Sequence, residues 1–293
     1  MSSLALPAER VQAQAPLDPK AGWITPEQQL NRLYFSIAEK IGRLTHLNFG
    51  VARIVAEYVA NDEWATNWHT ALNRLNSLPE KIPPLPANIF QILNSRCPIY
   101  GDLVKAEGKR FRTFVQVKDT HFLALILEGF GNLNRLERDI LIPYGRQKYP
   151  GGENPLQFRC FWETARQEHA NVPFPDTHWV LMTKDVLPGS RNKPWNEQLA
   201  LVNALRQKDF VDYEIPTLQQ GVAAITTDMV ATGERRYPVG DKLKGLVYTY
   251  TRVQETTHDW HLIVGGFAPS GVRVNFSCDY GSGSIGVAAL RKF

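Results

Sequence analysis

No apolar run in this 293-residue chain approaches the roughly 20 residues a membrane-crossing helix needs, because charge or proline breaks the longest candidates. A membrane span is therefore not expected. Cysteine is scarce: Cys97, Cys160 and Cys278 stand far apart, without a C-x-x-C pair. Structural disulfides and a cysteine-rich zinc site are not expected from that usage. Charge of one sign is lacking too, with 33 Lys and Arg against 29 Asp and Glu and the basic residues scattered, which is a poor footprint for nucleic acid. Glu9 and Arg10 occupy the place where a secretory signal would need its apolar stretch. The expectation is cytoplasmic synthesis without a signal peptide, with signal-less export or display left open. There is no G-x-S-x-G elbow and no repeat at a fixed period, so neither an α/β-hydrolase nucleophile nor a solenoid is indicated.

What is present is the composition of a globular protein, with 43% hydrophobic and 21% charged residues and a mean hydropathy of -0.28. At this length the chain can bury a real core without metal or disulfide. Residues 1–24 mix Ala, Pro, Gln and Ser without a hydrophobic period and read as a disordered tail. Thr25-Pro26-Glu27-Gln28 has the form of a capping box with proline at the first helical position, and Leu33, Ile37, Ile41 and Leu44 follow at helical spacing. A helical N-terminal unit over 25–78 is predicted, closed by a proline-rich linker at 79–87. Beyond it the pattern predicts a short helix at 88–94 and two strands within 112–127 turning at Lys118-Asp119. Helices are expected at 155–168, 195–207 and 217–232, and a buried strand at 178–183. After 246 only short strands fit, at 247–253, 260–264, 272–276 and 285–290, separated by glycine- and proline-rich turns.

Several motifs invite chemistry. Gly281-Ser282-Gly283-Ser284-Ile285-Gly286 matches the dinucleotide fingerprint letter for letter. Too little chain follows it for the helix that must hold a pyrophosphate, and a surface loop is the simpler reading. His169, Asp176 and His178 carry metal-ligand chemistry, but their spacing matches no helical pair. His178 opens an apolar strand, where a packed, hydrogen-bonded histidine is the ordinary case. In His258-Asp259-Trp260-His261, neighbours on a strand face opposite ways and cannot chelate together. The basic loop from Lys184 to Asn196 can cradle phosphate through backbone N–H groups and Arg191 or Lys193. Pro188-Gly189 is a turn signal, however, and a solvated surface turn accounts for the same residues. Cys160 is expected inside the 155–168 helix, buried and inert.

The stretch W-H-L-I-V-G-G-F-A-P-S-G-V-R-V at 260–274, with I-G-V-A-A-L-R-K-F at 285–293, resembles the end of the C-type-lectin-like fold. More narrowly it is similar to the branch shared by formylglycine-generating enzymes and variable proteins of diversity-generating retroelements. The resemblance covers 248–293 and implies a Gly-Gly strand opening, a recognition surface, and a closing strand that begins Ile-Gly. Between the two stretches lies Asn-Phe-Ser-Cys-Asp-Tyr-Gly-Ser-Gly-Ser. In the retroelement branch, adenine-directed mutagenesis of an AAC or AAT codon reaches each of these residue types and never Glu, Lys, Gln, Met or Trp. The formylglycine branch depends on a pair of cysteines where this region has only Cys278, and the Glu-Pro-Asn or Gln-Pro-Asp triplets of calcium-dependent lectins are missing. Neither oxidase activity nor calcium-dependent sugar binding is implied. A second resemblance, carried by 82–98, 178–193 and the closing G-V-A-A-L-R-K-F, is to proteins of chlamydia-like bacteria that live in amoebae, and it implies no activity.

Together these readings predict an α+β protein: a helical N-terminal unit, an α/β middle, and a domain over 88–293 ending in a C-type-lectin-like, β-rich region at about 246–293. The expected function is ligand binding through Arg273, Asn275, Phe276, Ser277, Cys278, Asp279, Tyr280, Ser282 and Ser284. Tyr280 and Phe276 offer rigid contact area there, and Ser and Asn offer adaptable hydrogen bonding. A polar hairpin with Phe276 tucked into the core stands as the alternative for that segment. A protein ligand is the expected partner, with oligomerisation open and no cofactor or metal called for. Two other functions stay open: an enzyme in the middle region using Lys184, Asp185, Arg191 and His178, and a bacterial effector acting in a host cell.

Overall fold

The computed structural model describes residues 83, 85–86, 88–99, 115–209, 212–238, 240, 248–277 and 282–293. The chain divides into two compact units, Met1–Ala60 and Asn61–Phe293. The tail and helical unit expected at 1–78 lie outside the described residues, so the account concerns the second unit.

Helix α1 spans Ile89–Asn94 and α2 is a single turn, Val117–Thr120. Here the hairpin expected at 112–127 gives way to a different structure. The Asp119 carboxylate accepts from the Gln116 N–H at 3.0 Å, a capping box that closes a helical turn where a β-turn was expected. Strand β1, His121–Ile126, is buried at every position and needs neighbours that cover both faces. It pairs antiparallel with β3, His178–Thr183, from His121↔Thr183 to Ile126↔His178. Helix α3 follows β1 and runs through Leu133–Arg135, a π-helical segment Leu136–Leu141, and Ile142–Lys148. No expectation from the sequence covered it.

Residues 155–168 do not form one helix. Leu156 and Phe158 are buried two residues apart, which is strand spacing, and Phe158–Arg159 forms the short strand β2. Helix α4 begins only at Glu163 and ends at His169. Cys160 sits between them with φ 52°, exposed, and not buried within a helix as expected.

The other expected elements form, as α5 Trp195–Asp209, α6 Leu218–Thr232, β5 Tyr250–Thr257, β6 Trp260–Ala268 and β7 Gly271–Ser277, with short β4 at Tyr213–Glu214. The expected strand at 285–290 is two strands, β8 Ile285–Val287 and β9 Leu290–Lys292, in different sheets. The four-stranded sheet runs β1-β3-β9-β4 and the five-stranded sheet β2-β7-β6-β5-β8. Every pairing in the first sheet is antiparallel, so the middle strands do not build a parallel α/β sheet and the class is α+β.

Helix α6 packs against β1 of one sheet and β5 and β6 of the other. It is buried from Leu218 to Met229, and its buried polar groups are paired inside: Thr226 and Thr227 donate to carbonyls one turn back and Asp228 accepts from Arg236. Its start is a capping box of Thr217 and Gln220, and Gly233 ends it at φ 78°. Only Ala288 and Ala289 carry the chain from β8 to β9, and both are fully buried. Their N–H groups are satisfied by the hydroxyls of Thr251 at 2.8 Å and Thr183 at 3.3 Å, the partners a backbone crossing dry core requires. No helix among the described residues is long and apolar enough to cross a membrane.

Candidate functional site

The site grows out of one row across the five-stranded sheet. Arg159 stands beside Arg273 in the parallel β2/β7 pair. Arg273 lies opposite Gly265, and Gly265 opposite Tyr250. Register partners share a face, so the two guanidinium groups and the phenol rise from the same side, with Gly265 as the gap between them. That gap is obligatory. Gly265 has φ 144°, and a Cβ there would stand 2.4 Å from the Thr249 carbonyl oxygen; Gly266 has φ 52°, and its Cβ would fall 2.6 Å from the Tyr250 ring. The Gly-Gly pair permits the register shift of β6 between Gly265 and Ala268 and leaves room for Tyr250 to lie across the strand.

Above this row opens a cleft of about 580 Å³, lined by Arg159, Tyr248, Tyr250, Gly266, Ala268, Pro269, Ser270, Arg273 and Ser284. The volume suits a small molecule or one protruding side group. Tyr248 and Tyr250 hold their rings within 2° of parallel, centroids 6.4 Å apart, and Tyr248 is 39% exposed.

Strand β2 is too short to hold itself, and the π-helical segment of α3 anchors it. Glu137, buried on that segment, accepts from the Phe158 N–H at 2.7 Å and pairs with Arg166 at 2.9 Å. Gln157 adds a bond from its side chain to the Ser270 carbonyl at 3.0 Å, while its own carbonyl takes the Val272 N–H. Arg159 is thereby fixed against the 269–270 turn, where its Nη1 donates to the Ser270 hydroxyl at 2.7 Å.

The electrostatics of the cleft are one-sided. Its described lining holds two arginines and no carboxylate. Burial alone would lower the pKa of Arg273, but hydrogen bonding to the Tyr250 phenol and the Cys160 thiol outweighs it and raises the value above the usual arginine range. The Nε of Arg273 is buried without a hydrogen-bond partner.

The residues expected to bind a ligand are divided by this geometry. Arg273 and Ser284 meet in the cleft. Asn275 and Ser277 lie further along the same side of β7, half-buried, opposite Ile263 and His261. The Asn275 side chain accepts from the N–H of Phe276. Ser282 bonds the Ser284 hydroxyl at 2.9 Å, shaping the turn before β8. Phe276 faces the other way, packed edge-on against Trp162 at 4.8 Å and tilted against Trp260 at 4.9 Å, both of them exposed tryptophans. Cys278, Asp279 and Tyr280 lie outside the described residues.

Arg159, Tyr248, Tyr250 and Ser270 were not foreseen. The signal for Arg159 was the Leu156/Phe158 alternation, hidden by reading helix through it. The two tyrosines stood in an expected strand, but nothing local said which strand would face them.

Pro188-Gly189 forms the expected exposed turn, with Gly189 at φ 75°, but Arg191 is not simply solvated. Arg191 reaches across to the Tyr248 and Gly283 carbonyls and the Thr249 hydroxyl, and pairs with Asp185 at 3.1 Å; it fastens the rim of the cleft. The other candidates of the middle region are likewise occupied with structure. His178 is buried with Nδ1 on the Asp176 carbonyl at 3.0 Å, and burial holds its pKa below the usual histidine value. Lys184 donates to the Lys118 carbonyl at 2.8 Å. His178 opens β3 and Lys184 follows its last residue, about 20 Å away at strand rise, so the two do not form one site. No family model, curated protein or solved structure matches the chain.

Proposed function

We propose that the chain is a ligand-binding protein with its recognition surface on a C-type-lectin-like scaffold, formed by β7, the Ser282–Ser284 turn and the neighbouring tyrosines, and diversified along 275–284 as in the variable proteins it resembles. The observation that carries the reading is the cleft. Arg273 and Ser284, at the two ends of the segment that the resemblance marks as recognition surface, come together in one concave, solvent-open pocket. No nucleophile–base pair accompanies them in its described lining, and concave sites with a few convergent polar groups are the usual places for ligands. The expected partner is a protein whose protruding group enters the cleft.

The test separates binding from folding. Replacing Tyr248, Asn275, Ser282 and Ser284 together with alanine changes residues that are exposed or half-buried, so stability should move by no more than about 0.5 kcal/mol per position. Hits from a fragment screen by saturation-transfer NMR should be lost in the same variant. Val264, Phe267 and Val287, all at most 1% exposed, are the controls, with truncation costing roughly 2–4 kcal/mol. A quadruple variant that unfolds like the controls sinks the reading.

A further inference from the structure

We infer that the group the cleft takes is an oxyanion, a phosphate or carboxylate on a flat body, clamped between Arg159 and Arg273 with the body laid on Tyr248. The inference rests on the ligand-binding reading above and specifies the chemistry of its ligand.

Two observations carry it. Arg159 and Arg273 are register partners on adjacent strands, and like charges placed directly opposite destabilise a sheet. A fold gains nothing from this arrangement unless something neutralises it, and rules broken without internal compensation concentrate at functional sites. Next, the described lining has no carboxylate to do so, although elsewhere the chain pairs its arginines readily, as in Arg166–Glu137 and Arg236–Asp228. An oxyanion supplies what is missing: two or three acceptor atoms for planar forks that bind carboxylate and phosphate bidentately. The Ser270 and Ser284 hydroxyls stand at the rim as further donors. A cleft lined by one sign of charge also concentrates the opposite ion.

The full chain is titrated with phenyl phosphate, inorganic phosphate and benzoate, with benzyl alcohol as the neutral counterpart. Binding is read by calorimetry and by protection of Cys160, the exposed thiol beside Arg273, from alkylation as located by peptide mapping. Phenyl phosphate or benzoate should bind and protect Cys160, and whichever is stronger identifies the oxyanion. Inorganic phosphate should bind more weakly for want of a body, and benzyl alcohol should not protect. Arg159→Gln and Arg273→Gln should each weaken the anion at least tenfold. Arg206→Gln, a change at an exposed arginine of α5, should leave binding unaltered. Because it relieves like-charge repulsion, Arg159→Gln without ligand should melt at or above the parent temperature; a clear drop would make the arginines structural and overturn the inference. So would anion binding that survives both glutamine variants. Protection by benzyl alcohol and not by the anions overturns the oxyanion while leaving the ligand-binding reading intact. That reading fails separately, through the quadruple alanine variant.

Discussion

Two arginine environments lie one row apart on the same face of the five-stranded sheet. Arg252, two residues beyond Tyr250 on β5, is fully buried and donates to the Gln198 side chain at 2.7 Å and the Lys193 carbonyl at 3.0 Å. Gln198 in turn donates to the Ser190 carbonyl at 2.8 Å. Arg273 stands in the row above with a second arginine beside it and a cleft in front. One charge is built into the architecture and the other is left facing outward. The difference teaches that burial by itself does not mark function; what sets Arg273 apart is a like charge beside it and an open cleft with no carboxylate in its described lining.

The contrast is broken or sharpened most strongly at Arg252. Arg252→Ala removes the largest fully buried side chain among the described residues and strands two acceptors, and should cost roughly 4 kcal/mol in urea denaturation. Arg273→Ala should stay within about 1 kcal/mol. Equal losses would erase the distinction between the two environments.

A pH series probes the interior of the same unit. Burial holds His121 down to about 4 from 6.5, so its contribution is complete above about pH 6.5 and is lost as the pH falls toward 4. Burial pushes Asp228 up to about 6 from 3.8, against the pull of Arg236. Between about pH 4 and 6 the folded state keeps a proton there that the unfolded chain has released, and stability from this group declines as pH rises through that window. The two slopes oppose each other. Asp228→Asn should unmask the histidine, giving a gain on the order of 3 kcal/mol from pH 4 to 6.5 where the parent is nearly level. An equally level variant would refute the opposition.

Gly265→Ala should cost about 2 kcal/mol, since the added Cβ meets backbone and not a movable side chain. It should also displace Tyr250 from the cleft, visible as a change in tyrosine fluorescence. The smallest effect is expected at Tyr248→Ala, within about 0.5 kcal/mol by thermal melting, while fragment binding falls. A larger stability loss would mean that Tyr248 belongs to the scaffold.

Much of the fold was legible where a local signal and the tertiary need agree. The capping box at Thr217 and Gln220 and the run of apolar and small residues behind it announce α6, and the apolar run Trp179 to Met182 announces β3. Reading failed where a few residues serve a partner far along the chain. Gln116 and Asp119 cap a turn of helix although Lys118-Asp119 resembles a hairpin turn, because β1 has β3 waiting as its partner. Phe158-Arg159 is a strand of two residues that exists only because Glu137 and Gln157 hold it. The site divided in the same way: Arg273 and Ser284 were named from the segment they bound, but Arg159 comes from more than a hundred positions upstream.

The amino-acid order alone determined the strand-rich texture after 246, the Gly265-Gly266 opening and the alternation that puts Arg273, Asn275 and Ser277 on one face and Val272, Val274 and Phe276 on the other. Those are properties of neighbouring residues, set by backbone sterics and a side-chain period of two. Only the tertiary structure decided that β2 lies beside β7 in the register that sets Arg159 against Arg273, that Arg191 fastens the rim, and that the last strand leaves one sheet for the other at Ala288-Ala289. Register between distant strands is chosen by which buried groups find partners and which apolar faces find cover, and no stretch of sequence carries that information by itself.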